Sequence, residues 1–388
     1  MHRRPTETAL TQERKSKMAS TEFGVNDPLA QKLWSQGLYH DIVYRTGLSS
    51  LIGTDENSII HLKNETAKES GDQVTHALLK ELDGDGFTEG ETAQGNGESL
   101  SLFDDKLVIN ELGHLVSIPN RGRSIDAQRV PYNLRKAARR GLQTWKAKRM
   151  SIVFFNHVCG YTAEARGMKF KGNNEILAPT RHIRVDETNA AQTPNDEAIV
   201  AADTFDLSYV SYAKEMAEGG DSPLRPINIS GVGKDGQDLD GGRYVMYLHP
   251  YQVTDLRTNI SNGQWLDIQK AAMQGGKVSK NPIFTDSLGE FDNVILKRAN
   301  HVTTGVNSST GADVPTVRRA VFLGAQACAL SFGKGSGPSN YAWNEELIDH
   351  KRQLEVSIMC MYGMKKTRYD SQDFGSIVVS SYAASHTA

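Results

Sequence analysis

Residues 83 to 99 hold five glycines and five carboxylates, with Phe87 and Ala93 as the sole apolar side chains. A segment of that composition cannot anchor itself, because fixing each residue costs roughly 1 to 2 kcal/mol of backbone entropy and almost nothing is buried in return. It is flanked by two extended runs, residues 72 to 82 and 100 to 118, so the pattern predicts a long hairpin with an unpacked tip. Residues 1 to 20 raise the same difficulty. They are polar, they carry Arg3, Arg4, Arg14, Lys15 and Lys17, and they predict an arm that becomes ordered only against a partner. Both segments point to a chain whose finished form depends on other molecules.

The remainder is ordinary globular material. The chain has 388 residues, 38% hydrophobic and 23% charged, which excludes pervasive disorder and leaves room for two or three domains. Its 35 glycines against 12 prolines predict many tight turns. No apolar run reaches the length of a membrane span and the N-terminus has no apolar signal core, so the expectation is a product that stays in the cytosol. Cys159, Cys328 and Cys360 are far apart in sequence and read as buried free thiols.

Helical spacing of Leu29, Leu33, Trp34, Leu38 and Ile42 predicts a short helix after the arm. The longest helix is expected over residues 131 to 157, opened by Pro131, with Leu134, Ala138, Leu142 and Trp145 on one face. Shorter helices are expected at 208 to 218 and 265 to 273, and strands at 58 to 62, 243 to 248, 293 to 296 and 376 to 380. Leu354, Val356, Ile358, Cys360 and Tyr362 alternate as the inward positions of a strand. The result is an α+β chain.

Charge is distributed unevenly along it. Residues 127 to 157 contain eight bases (Arg129, Arg135, Lys136, Arg139, Arg140, Lys146, Lys148 and Arg149) and no acid, whereas residues 81 to 105 contain eight acids, Glu89, Glu91 and Glu98 among them, and no base. Solvated helix faces usually interleave both signs, so the basic helix is expected to meet an acidic partner. Two partners fit: DNA, through counterion release, or the acidic hairpin of another copy.

Motifs for small-molecule chemistry are weak. Gly231, Gly233 and Gly236 satisfy a dinucleotide fingerprint, but a strand follows where a helix is required, so a hairpin turn is the preferred reading. Gly333 to Gly337 places Lys334 too early for a phosphate loop. Asp235, Asp238 and Asp240 miss the calcium-loop spacing, and the histidines form no ligand pair. Neither a metal nor a cofactor is expected, and no hydrolase elbow or zinc helix occurs.

Several segments, in order along the chain, resemble the major capsid proteins of tailed bacteriophages, in the branch typified by coliphage N-four. They are Thr21-Glu-Phe-Gly-Val-Asn-Asp-Pro-Leu-Ala30 with Lys32-Leu-Trp34, Arg129-Val-Pro-Tyr132, Phe154-Phe-Asn156 with Cys159-Gly-Tyr161, and Asn281-Pro-Ile-Phe-Thr285 with Leu288-Gly289. Leu323-Gly-Ala-Gln326, Lys365-Lys-Thr-Arg368 and Asp373-Phe-Gly375 complete the set. The resemblance begins at Thr21, so Met18 is an alternative initiation site.

The resemblance implies the Hong Kong-97-type fold: an N-terminal arm and first helix (1–44), peripheral-domain strands (45–70), an E-loop hairpin (71–110), a peripheral domain with a long spine helix (111–159), an axial domain (160–349), and a return to the peripheral domain with the C-terminus (350–388). It implies a non-enzymatic protein that self-assembles into the hexamers and pentamers of an icosahedral head. The expected partners are packaged double-stranded DNA held without sequence specificity, a portal, and scaffold or decoration proteins, with no membrane involved. The expected location is the virion, assembled in the host cytoplasm. Arg135, Lys136, Arg139, Arg140 and Lys146, with Glu89, Glu91 and Glu98, are the candidate contact charges. A nanocompartment shell of the same fold is one alternative, and a nucleotide-binding enzyme using Gly231, Gly233 and Gly236 is another.

Overall fold

The computed structural model describes residues 48, 50–63, 71–79, 88–89, 94, 97–120, 122–129, 134–163, 174–186, 193–220, 223–227, 242–258, 287–334 and 342–386. The expected helices at 27 to 44 and 265 to 273, the Gly231 to Gly236 turn, the three aspartates beside it and most of the hairpin tip, Glu91 included, lie outside these residues. The strands in chain order are β1 (Ile52–Gly53), β2 (Ile60–Lys63), β3 (Gln73–Leu79), β4 (Leu102–Val108), β5 (Asn110–Pro119), β6 (His182–Arg184), β7 (Tyr244–Leu248), β8 (Ser287–Phe291) and β9 (Val294–Arg298). They continue with β10 (Thr304–Val306), β11 (Asp313–Leu323), β12 (Cys328–Phe332), β13 (Ala342–Ile348), β14 (Gln353–Lys366), β15 (Arg368–Tyr369), β16 (Gln372–Asp373) and β17 (Ser376–Tyr382). The helices are α1 (Ile125–Arg129), α2 (Leu134–Val158), α3 (Ser208–Glu218) and α4 (Pro250–Thr258).

Two sheets organise the chain. The first runs β1-β2-β12-β14-β13, with β5 also paired to β14. Tyr362 of β14 faces Phe332 of β12 on one side and Asn110 of β5 on the other, so β5 forms the opposite edge. The alternation expected in β14 holds: Leu354, Val356, Ile358, Cys360 and Tyr362 are buried, and α2 covers that face through Ala138, Leu142, Ala147 and Met150. The second sheet runs β6-β17-β11-β7-β9-β8, with β10 on β11. Both of its faces are covered, which is why its strands read as continuous apolar runs. Tyr244, Met246 and Leu248 of β7 point towards α3 and α4, while Val245 and Tyr247 point to the core shared with α2 and the first sheet.

The two sheets are not built from the expected contiguous segments. β12 and β13, assigned above to the axial segment, belong to the first sheet, and β17, expected in the peripheral sheet, is hydrogen-bonded between β11 and β6 in the second. The chain crosses from the second sheet to the first through residues 324 to 327 and returns between Lys366 and Ser376, and the two crossings lie side by side. Gly324 N–H donates to Gly375 O at 2.9 Å and Thr367 N–H to Ala327 O at 3.1 Å.

α2 begins as an amphipathic helix and ends inside the core, since Val153 to Val158 are all buried. Its stop is built from Cys159-Gly-Tyr161. Gly160 has φ +61°, Tyr161 N–H donates to Asn156 O at 2.9 Å, and a Cβ on Gly160 would sit 2.8 Å from Leu177 O. Arg319 Nη1 donates to the terminal carbonyl of Gly160 at 2.7 Å while Nη2 meets Asp196 at 2.7 Å, so one buried side chain ties the helix end to the loop before α3. Burial opposes ionisation of Asp196, but Arg319 and His182 outweigh it and hold the carboxyl below its ordinary range.

Candidate functional site: the assembly surfaces

The structure separates seven of the eight basic residues into distinct roles; the side chain of Arg129 lies outside the described residues. Lys146, a candidate contact charge, is 1% exposed and points into the core, with Nζ 2.5 Å from Cys360 Sγ of β14. It is therefore removed from the surface set. Burial pushes its pKa down, opposed by Cys360. The signal was present in the sequence, because Lys146 lies midway between Leu142 and Met150 at the i, i+4 spacing of the buried stripe. Arg135 is committed within the chain: Nη2 is 2.8 Å from Glu345 of β13, whose carboxylate also accepts Trp343 Nε1–H at 2.9 Å. Arg149 lies over the ring of Trp145, 5.7 Å from its centroid, and His114 of β5 stacks on the same indole at 4.2 Å.

What remains is a stripe. Lys136, Arg140, Thr144 and Lys148 are exposed at four-residue intervals, with Arg139 half-buried beside them. At 1.5 Å rise per residue they are about 6 Å apart along the helix. The first sheet presents the opposite surface. Where β13, β14 and β5 run side by side, their outward positions include Glu346, Glu355 and Ser117, with Leu115 56% and Met359 50% exposed, and no Lys or Arg. The two-layer unit is thus basic on its helix side and acidic with apolar patches on its sheet side.

The hairpin is the third surface. β3 and β4 pair from Gln73 opposite Val108 to Leu79 opposite Leu102 and form a two-stranded sheet of their own. One face turns to the body, and its burial fades outward: Val74 and Leu107 are buried, whereas Leu78 and Phe103 are half-buried. Beyond them Leu100 and Leu102 are 62% and 67% exposed, and Glu89 and Glu98 are exposed as well. Apolar side chains left uncovered at the end of a projecting ribbon are the feature of an interface awaiting its second half.

Among the described residues no group of three or more His, Cys, Asp or Glu is arranged to hold a metal, and no helix is long and apolar enough to cross a membrane. All three cysteines are buried and free, as expected. The sequence profile of a family described as Phage capsid protein matches residues 22–385. The chain belongs to the phage capsid protein family. Its role is structural rather than catalytic. The major capsid protein of Pseudomonas phage KPP25 is 24% identical over 374 residues, covering 89% of this chain and 93% of the relative. Among solved structures, the capsid of Ralstonia phage GP4 superposes with a TM-score of 0.71 at 25% identity over 99% of both chains. The cyanophage Pam1 capsid superposes at 0.65 and 17% identity over 98% of this chain and all of that one.

Among the described residues, the short motifs that carried the resemblance include packing devices of this capsid protein. Cys159-Gly-Tyr161 stops α2, and Leu323-Gly-Ala-Gln326 and Asp373-Phe-Gly375 form the crossings between sheets. Lys365-Lys-Thr-Arg368 supplies two ion pairs, Lys365 to Asp105 and Lys366 to the fully buried Asp373, the latter at 2.8 Å.

Proposed function

We propose that the chain has the Hong Kong-97-type architecture and forms the hexamers and pentamers of an icosahedral phage head around double-stranded DNA, in the branch typified by coliphage N-four. The observation that carries this is the end-to-end superposition on the Ralstonia phage GP4 capsid, with no part of either chain left over beyond 1%. In this reading the first sheet and α2 are the peripheral domain and spine, the second sheet with α3 and α4 is the axial domain, β3 and β4 are the base of the E-loop, and residues 1 to 44 are the arm. Assembly takes place in the host cytoplasm, with a portal and scaffold or decoration proteins as partners.

The basic stripe on α2 faces the DNA, since the other side of the same unit is acidic and would be repelled by phosphate. Each neutralised phosphate releases counterions, so a few lysines and arginines repeated around a shell suffice without base contacts. Glu89, Glu91 and Glu98 on the hairpin face a neighbouring copy.

Coexpression with a scaffold where one is needed, followed by electron microscopy, tests the assembly: closed particles are expected, and a monodisperse monomer under every condition refutes it. Reversing Lys136, Arg140 and Lys148 to Glu leaves empty shells intact and impairs filled heads if the stripe faces DNA. Shells that fail while empty assign the stripe to a neighbouring subunit instead. Enzyme cargo in place of DNA would move the chain to the nanocompartment class.

A further inference from the structure

Among the described residues the β3–β4 hairpin shares no strand ladder with the main sheets, so side-chain contacts help set the direction in which it leaves the body. Two of them do so. Asp105, on the body-facing side of β4 and 8% exposed, pairs with Lys365 at the end of β14 and accepts the Arg368 N–H at 3.1 Å and its neighbour's Lys106 N–H at 2.8 Å. Lys365 Nζ also donates to Lys106 O at 3.1 Å. Three residue pairs further towards the body, Asn174 acts as a substitute strand. Its Oδ1 accepts Val108 N–H and its Nδ2 donates to Val108 O, both at 2.9 Å, and Nδ2 also reaches Met364 O at 3.3 Å. Both anchors converge on the same short stretch, Met364 to Arg368, where β14 ends.

We propose that Asp105 and Asn174 are positioning residues for shell assembly, holding the hairpin at the angle from which its tip meets a neighbouring copy; this rests on the reading of β3 and β4 as the base of an intersubunit loop. Leverage makes the angle matter. His76 and Asp105 face each other three residue pairs below the last described pair, Leu79 and Leu102, a span of about 10 Å at the rise of a strand. A tilt of about 10° at Asp105 therefore displaces that end by nearly 2 Å, and the tip beyond it by more.

The test compares Asp105→Asn, Lys365→Gln and Asn174→Ala with a deletion of residues 87 to 97 in the full chain. Three quantities are read: the melting of unassembled subunits, hydrogen exchange at the β3 and β4 amides, and the rate of particle formation by light scattering. The expectation is unchanged melting of the body, faster exchange confined to the hairpin, and particle formation slowed about tenfold per variant, the factor that corresponds to one weakened charge-assisted bond. Wild-type assembly rates in all three variants, with the tip deletion blocking assembly, overturn the positioning role and leave the hairpin interface standing. Normal assembly of the tip deletion overturns the interface itself. Should Asp105→Asn fail to fold, Lys365→Gln decides, because it removes the partially exposed end of the pair and leaves the buried carboxylate its two backbone donors.

Discussion

Gly363 lies in β14 directly beneath the point where β4 passes into β5, and replacing it by alanine tests how closely those strands are pressed together. A Cβ there would sit 2.2 Å from Val108 O, 3.0 Å from Val108 C and 3.2 Å from Ile109 Cα, all of them backbone atoms. Ordinary contact begins near 3.5 Å, so the crossing strand must retreat by more than about 1 Å. It cannot do so freely, because both polar groups of Val108 are held by Asn174. Losing those two bonds costs about 1 kcal/mol each, and overpacking adds about 1 to 3, for a total of about 3 to 5 kcal/mol. Gly113→Ala is the control, since its Cβ would make only ordinary contacts, with Met359 Cγ at 3.5 Å, Met359 Cε at 3.6 Å and Ile358 O at 3.7 Å. Urea unfolding of unassembled subunits, followed by tryptophan fluorescence, reads the difference as a lower midpoint for Gly363→Ala alone. Equal midpoints for the two variants would refute the tight crossing and, with it, the account of how the hairpin base is seated.

Gly141 is the reverse case: it is exposed within α2 with nothing near its Cβ position, so Gly141→Ala should stabilise the subunit by about 0.5 to 1 kcal/mol, seen as a raised urea midpoint. Lys146→Glu places a carboxylate in the core beside Cys360 and should leave the protein insoluble, whereas Arg140→Glu should fold normally, a contrast that solubility and circular dichroism reveal. Burial holds His157 at about 4 and His182 at about 3, below their ordinary 6.5, so both are neutral when folded and take up protons on unfolding at lower pH. Their contribution is intact above pH 6.5 and is lost as the pH falls towards 4, at roughly 1.4 kcal/mol per pH unit for each, so urea midpoints should drop between pH 6.5 and 5 and His157→Gln should flatten the curve.

Local periodicity carried much of the fold. The helix expected at 208 to 218 is α3 to the residue, and α2 and β14 appear where their apolar spacing placed them. Strand partnership was not legible, because alternation records which side chains face inward but not which sheet receives them. β17 shows this, since Ile377, Val378 and Val379 are buried alike and would fit a central position in either sheet. Charge counting grouped the exposed Lys136 and Arg140 with the buried Lys146, because the sum over the segment hid the phase of the helix. Asp105, Asn174, Asp196 and Arg319 were missed for a different reason. The bonds by which they tie distant segments together span 66 to 263 residues of the chain, and no local pattern marks a polar residue that does so.

The paired crossings between the sheets have a mechanical consequence. A subunit pulled so that its two sheets separate would load, besides the chain between α2 and β6, two adjacent lengths of covalent backbone in parallel, residues 324 to 327 and the return through β15 and β16. Gly324 and Gly375 are joined where these tethers meet, and a Cβ on Gly375 would come within 2.8 Å of three backbone atoms of Ala325 and Ala327, so the tethers touch along their backbones with no compliant side chain between them. Neither can lengthen before the other. In a pulling experiment with handles on the two halves, extension should therefore end in one abrupt rupture rather than a staircase, and a wall made of such subunits would behave as a stiff membrane up to its breaking strain.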